Sequence, residues 1–296
     1  MKKSMFFICV ILLPAIHSLP VHASLLNIYV SIPPQHWLAE QIAGNLATTE
    51  ILLEKGQDPH TFEPTPRQIA GLSKAELYFT IGMIFEEHLT EKLTQTNSGL
   101  TIVDSSDNIR RRSGTDHHHE SHDTHGASHS EPDPHIWLSP VNLITIAGNM
   151  AKAMATADPV NRDTYEQNLR NLEQRLRELD DRIKAKLLPH EGARFFVFHP
   201  AFGYFADEYH LEQVAVEVEG KSPSPRQLFR IVAQARSENI RMLFIQPQFD
   251  PNSAEAVAEA IGGTVVELDP LAENIIANIE AMAEAIANSL NSAHNQ

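Results

Sequence analysis

Between Asp158-Pro159 and Pro189 the chain carries one continuous apolar stripe. Tyr165, Leu169, Leu172, Leu176, Leu179, Ile183 and Leu187 follow one another at steps of three or four residues. Steps of that size place all seven side chains on one face of an α-helix. At 1.5 Å per residue such a helix runs for about 40 Å, more than one small lobe needs. On both sides of it, short apolar runs alternate with shorter helical stretches. A long stiff helix between two such series constrains the chain to two lobes on a common spine.

Each series has the rhythm of a parallel α/β unit. In the first, residues 26–31, 50–53, 76–81 and 101–103 read as strands. Pro33-Pro34 ends the first of them. Residues 36–46, the stretch opened by Thr65-Pro66, and residues 85–93 read as helices, and Ser139-Pro140 caps another over 141–157. In the second, residues 194–198, 211–218, 242–245 and 264–268 read as strands, and 225–237, 252–261 and 272–290 as helices. The expected organisation is a lobe over residues 24–157, a linking helix over 158–188 and a lobe over 189–296. Residues 106–133 interrupt the first lobe. They are polar, rich in His, Ser, Asp and Gly, and too poor in apolar side chains to order themselves, so a mobile loop is expected there.

The amino terminus stands apart from both lobes. Lys2 and Lys3 precede an apolar run over residues 5–16, and Val21-His22-Ala23 supplies small residues around a cut. This is the pattern of an export leader over residues 1–23, too short to span a bilayer as an anchor. The single cysteine, Cys9, falls inside it. The mature chain then has no thiol, and any metal site must use His, Asp or Glu. The formal charge of −15 becomes −17 once Lys2 and Lys3 leave with the leader. No basic stripe suited to nucleic acid exists, and Arg110-Arg111-Arg112 reads as a solvated turn.

The histidines say more than the charge. There are 16, and His117, His118, His119, His122, His125 and His129 crowd into the interrupting loop. Three others occupy similar places: His60 in Asp58-Pro59-His60, His135 in Asp133-Pro134-His135, and His199 in Phe198-His199-Pro200. Each lies at a loop or strand end beside a proline, which stiffens the backbone. Asp269 ends the last strand in the same way. Three imidazoles and one carboxylate form a four-coordinate nitrogen and oxygen set suited to Zn²⁺. Their separations of 75, 64 and 70 residues are too wide for a local motif, so only the fold could assemble them.

Three runs carry a resemblance: residues 58–66 (DPHTFEPTP), 133–140 (DPHIWLSP) and 197–205 (VFHPAFGYF). They resemble the zinc and manganese cluster of metal-binding substrate-binding proteins of ABC transporters, and the similarity extends over nearly the whole mature chain. It implies two α/β lobes joined by a rigid helix, a metal in the cleft between them, and a membrane permease as partner. By position His60, His135 and His199 match the family's ligands, and Asp269 in Leu268-Asp269-Pro270-Leu271 matches the fourth. It implies a periplasmic, monomeric protein that captures Zn²⁺ for import. Manganese members commonly place a carboxylate where His199 stands, which favours zinc over manganese or iron. The histidine loop is expected to bind further zinc weakly, fading below about pH 6 as imidazoles protonate.

Some positions depart from the family pattern or stand apart from the site. Gln246 stands where a glutamate is common, which puts a ligand or supporting role there in doubt. His210 occupies a place where glycine is usual and is expected to need a positive φ. His36 reads as a surface residue, and Glu86 and Glu87 as solvated helix residues. Two other functions remain open. A periplasmic metal buffer or adhesin would use the same site, and growth in chelated medium would separate it from an importer. A zinc hydrolase would need an open coordination position and a general base, and no His-Glu-x-x-His run is present.

Overall fold

The computed structural model describes residues 25–96, 99–113, 132–217 and 224–294. The leader expected over residues 1–23 and the six loop histidines from His117 to His129 lie outside them.

The first lobe is a four-stranded parallel sheet in the order β2-β1-β3-β4, formed by Leu26–Val30 (β1), Ala47–Ile51 (β2), Leu77–Thr80 (β3) and Thr101–Asp104 (β4). Pro33–Ala43 (α1), Pro66–Leu72 (α2) and Ile84–Thr96 (α3) connect them, and Pro140–Ala157 (α4) completes the lobe. Arg162–Leu187 (α5) follows as a single helix of 26 residues. The second lobe repeats the topology as β6-β5-β7-β8: Arg194–Val197 (β5), Glu212–Ala215 (β6), Met242–Ile245 (β7) and Thr264–Glu267 (β8). Its helices are Gly203–Glu208 (α6), Pro225–Ser237 (α7), Pro251–Ile261 (α8) and Ile275–His294 (α9). In both sheets the chain leaves the first strand for one edge and then crosses to the other side. The carboxyl ends of β1 and β3, and of β5 and β7, are therefore switch points, where ligands bind in open parallel sheets.

The stripe on α5 is the seam between the lobes. Tyr165, Leu172, Leu176, Leu179, Ile183 and Leu187 are all buried, with Leu169 partly so. The helix packs on α1 and α4 of the first lobe and on α9 of the second. One continuous apolar cluster runs from Ile28 and Trp137 through this stripe to Phe195, Ile279 and Ile286. A second cluster, including Phe196 and Val257, lies on the other face of the second sheet.

Several local expectations change. Pro33 and Pro34 do not merely end β1; they open α1, because proline suits the first helical turn, where no N–H is needed. The Gln35 side chain accepts from the Ser31 and Ile32 N–H groups at 3.0 and 3.3 Å and so tightens that entry. Helix α6 has no counterpart in the sequence pattern, being only six residues long and beginning on Gly203. Residues 106–113, expected inside the loop, are held: Ser106 bonds Asp104, and Arg111 donates to Ser106 and to the Ile81 carbonyl. Arg112 is not solvated either, for it pairs with Asp133 at 3.4 Å and Asp207 at 3.1 Å. Its guanidinium lies where a Cβ at position 203 would stand, so a side chain there would have to displace Arg112. Glu86 is a clear correction. It is buried, not solvated, and its carboxylate gathers the N–H groups of Ile81, Gly82 and Met83. His210 has φ +54°, as its glycine-like position suggested. His36 is half-buried where the lobes meet, 3.0 Å from Glu273.

Candidate metal centre

Two of the three histidines are held by the same local device. In Asp58-Pro59-His60 the Asp58 carboxylate accepts the His60 N–H at 2.9 Å, and in Asp133-Pro134-His135 the Asp133 carboxylate accepts the His135 N–H at 3.0 Å. An Asp that bonds the backbone two residues on forms a tight turn, and the intervening proline fixes it. His60 sits in the loop after β2, and His135 just before the turn into α4. His199 comes from the second lobe, two residues past β5 at the switch point.

These loops bring the three imidazoles together across the cleft. One ligand nitrogen from each of His60, His135 and His199 lies within 4.8 Å of the others. The Nε2 atoms of His60 and His199 are 3.2 Å apart. Two nitrogens bound to one tetrahedral zinc at 2.0–2.1 Å stand about 3.3 Å apart, so this edge already has the length such an ion requires. The ring centroids are 4.9 Å apart for His60 and His199, 5.5 Å for His135 and His199, and 6.2 Å for His60 and His135. His135 and His199 are buried, while His60 is exposed at the mouth.

The buried rings are oriented from behind. Asp133 Oδ1 lies 2.8 Å from His135 Nδ1, and Glu217 Oε2 lies 2.6 Å from His199 Nδ1. A carboxylate at Nδ1 fixes the proton there and leaves the Nε2 lone pair facing the cleft. Phe249 stacks on His199 at 4.9 Å. Burial lowers the His199 pKa below the ordinary histidine value; the Glu217 hydrogen bond opposes this and the His135 charge adds to it. The ring is thus kept neutral, the form that binds a metal. For Asp133 burial works upward, but the His135 hydrogen bond and charge, together with Arg112, outweigh it and hold the carboxyl below its usual range. It stays ionised behind its histidine.

Asp269 is placed differently. Its Oδ1 accepts from the Leu271 N–H at 3.0 Å and from Gln248 Nε2 at 3.1 Å. Asp269-Pro270-Leu271 therefore makes the same turn as the two Asp-Pro-His runs, with its carboxylate occupied in forming it. Asp269 lies outside the set of mutually close ligand atoms. Its loop still borders the pocket through Pro270 and Leu271, and the Trp137 indole donates to the Pro270 carbonyl at 2.7 Å across the lobes. Asp133 was visible to sequence reasoning within its Asp-Pro-His run, though not as a partner of the imidazole. Glu217 carried no signal, because only strand register places it behind His199.

The family described as ZnuA, zinc-uptake complex component A, periplasmic, matches residues 28–293. The chain belongs to this family. Among its members, the high-affinity zinc uptake system protein ZnuA of Yersinia pestis is 29% identical over 278 residues, covering 87% of this chain and 86% of its own. The protein of the same name from Paracoccus denitrificans is 31% identical over 268 residues, covering 82% of each chain. A crystal structure of a ZnuA superposes with a TM-score of 0.82 at 39% identity, covering 90% of this chain and all of that one. Two parallel α/β lobes on a long connecting helix are thus the fold of the family and of this member. It is a solute-binding protein of a zinc-uptake system. Among the described residues no helix is long and apolar enough to cross a membrane.

Proposed function

We propose that this protein captures Zn²⁺ in the cleft with His60, His135, His199 and Asp269 and delivers it to an ABC membrane permease. The observation that carries the reading is the convergence of three imidazole nitrogens, two from one lobe and one from the other, within 4.8 Å of one another, with the His60–His199 pair at the spacing of a tetrahedral ion. Two of them are buried and oriented by carboxylates at Nδ1, the arrangement common behind metal-binding histidines.

Capture follows from these residues. The exposed His60 meets the ion at the mouth, and the buried His135 and His199 displace its water. Each neutral ring donates an Nε2 lone pair, and the carboxylates of Asp133 and Glu217 balance the charge that the rings take on. Asp269 supplies an oxygen from the second lobe once its Oδ2 turns to the cleft. Ligands on both lobes make the bound ion a clamp between them, and parting the lobes weakens all four contacts together. Release to the permease is therefore a change of lobe spacing and not a chemical step. Three imidazoles favour borderline Zn²⁺ over harder Mn²⁺. The protein acts as an exported monomer without catalytic activity. His117, His118, His119, His122, His125 and His129 add weak accessory binding.

The test is metal analysis and competition against a zinc chelator with His60→Ala, His135→Ala, His199→Ala and Asp269→Ala. Each histidine change should abolish tight one-to-one binding, with a smaller loss for Asp269→Ala. Retention of tight binding by all three histidine variants would overturn the site.

A further inference from the structure

One side chain in the pocket is more tightly specified than the reading above requires. Gln246 directly follows β7, so it flanks with His199 the switch point of the second sheet. It is 1% exposed and lines the pocket beside His60, His135 and His199. Its Nε2 donates to the His199 backbone carbonyl at 2.8 Å. That bond fixes which end of the amide is which, because the reverse orientation would set two carbonyl oxygens against each other. The other end, Oε1, is fully buried and has no hydrogen-bond donor among the described residues. A buried acceptor left without a partner costs about 1–3 kcal/mol, an expense that a positive charge in the pocket would remove.

We infer that Gln246 is a specificity-determining residue of the metal pocket, presenting a fixed and neutral oxygen to the captured ion. This rests on the three-histidine reading. Charge and hardness decide the preference. An amide carbonyl offers a dipole to the cation but no negative charge, so the imidazoles dominate the donor set and a borderline ion is preferred. A carboxylate at the same position would add a hard anionic oxygen, which narrows the advantage of Zn²⁺ over Mn²⁺. It would also lose the bond to the His199 carbonyl, since an ionised carboxylate has no proton to donate. Gln246 thus performs two tasks with one group, securing the His199 backbone by its nitrogen and setting the pocket's charge by its oxygen. It touches the ion's surroundings without changing the number of imidazoles.

The test compares the full mature protein with Gln246→Glu and Gln246→Met, titrating Zn²⁺ and Mn²⁺ separately against a competing chelator. The ratio of zinc to manganese affinity should fall at least tenfold in Gln246→Glu. It should rise in Gln246→Met, which keeps the side-chain length and removes the oxygen; both variants lose the bond to the His199 carbonyl, so their difference reads the oxygen. Circular dichroism and metal-free melting identify a variant that does not fold; if Gln246→Glu is lost, the shift in Gln246→Met decides. A ratio unchanged within twofold in the folded variants would overturn the inference. His60→Ala in the same assay separates the two levels. If it retains tight zinc binding, the three-histidine site is wrong; if it loses binding while the ratios stay constant, only the role of Gln246 is wrong.

Discussion

His199 shows how much of a candidate ligand's behaviour is set by atoms around it. Glu217 fixes its proton on Nδ1, Phe249 packs on its face, and Gln246 holds its backbone. The ring is buried, and burial outweighs the pull of Glu217 toward the charged form. Removing such an orienting carboxylate from a metal-binding histidine costs 10–100-fold in affinity in known sites. Glu217→Ala should therefore weaken zinc binding by about that factor while leaving one-to-one stoichiometry and the far-UV spectrum intact. Chelator competition measures it, and an unchanged affinity would show that Glu217 only fills space.

At the scale of elements, the β3–α3 junction depends on Glu86. Its carboxylate collects the N–H groups of Ile81, Gly82 and Met83 at 2.7–3.1 Å, which would otherwise be unpaired at the start of α3. Burial pushes its pKa up to about 7, against the hydrogen bonds from Ser31 and the backbone that act downward. The raised value has a definite sign. Between about pH 4.5 and 7 the folded protein holds a proton that the unfolded chain has released. This contribution is complete below the unfolded value and is lost as pH rises through the folded one, by about 3 kcal/mol in all. Urea unfolding of the metal-free protein should show that loss, and Glu86→Gln should flatten it. A variant with the same slope as the wild type would remove Glu86 as its source. The spine is an element of another kind. Its six buried stripe residues contribute about 1.5–3 kcal/mol each by burial, and both lobes share that contribution.

Across the whole molecule, the proposed site couples metal binding to the lobes, because His60 and His135 belong to one lobe and His199 to the other. An ion held by both stabilises the folded chain by mass action, about 2.7 kcal/mol at a free concentration 100 times the dissociation constant. Zinc should therefore raise the melting temperature by several degrees, EDTA should reverse the rise, and His199→Ala should show neither effect. Calorimetry or fluorescence-monitored melting reads this directly. An equal rise in His199→Ala would place the stabilising zinc elsewhere.

Much of this was legible in the chain itself. The spine followed from one stripe of seven residues, since a helical period cannot be mistaken over so many turns. Helix α7 at Pro225–Ser237 and strand β7 at Met242–Ile245 were legible to the residue, because an opening proline and a run of large apolar residues are local signals. The Asp-Pro-His turns that carry His60 and His135 were local too, although only His199 lies close to a strand end. What lay beyond the sequence was whatever depends on burial and register. Glu86 looked like any exposed helix acid until the lobe closed over it. Glu217 was an ordinary polar residue, and Gln246 only a departure from the family pattern, until β6 and β7 set them beside β5. Asp269 ended its strand as the histidine motifs did, yet the fold assigned its Oδ1 to the turn and to Gln248. Local sequence determined which elements form and which side chains can bind a metal, because propensity, capping and donor chemistry belong to single residues and short segments. Only the tertiary structure decided which of those side chains meet, which are buried and which way each proton points, because those depend on residues far apart in the chain arriving at one place.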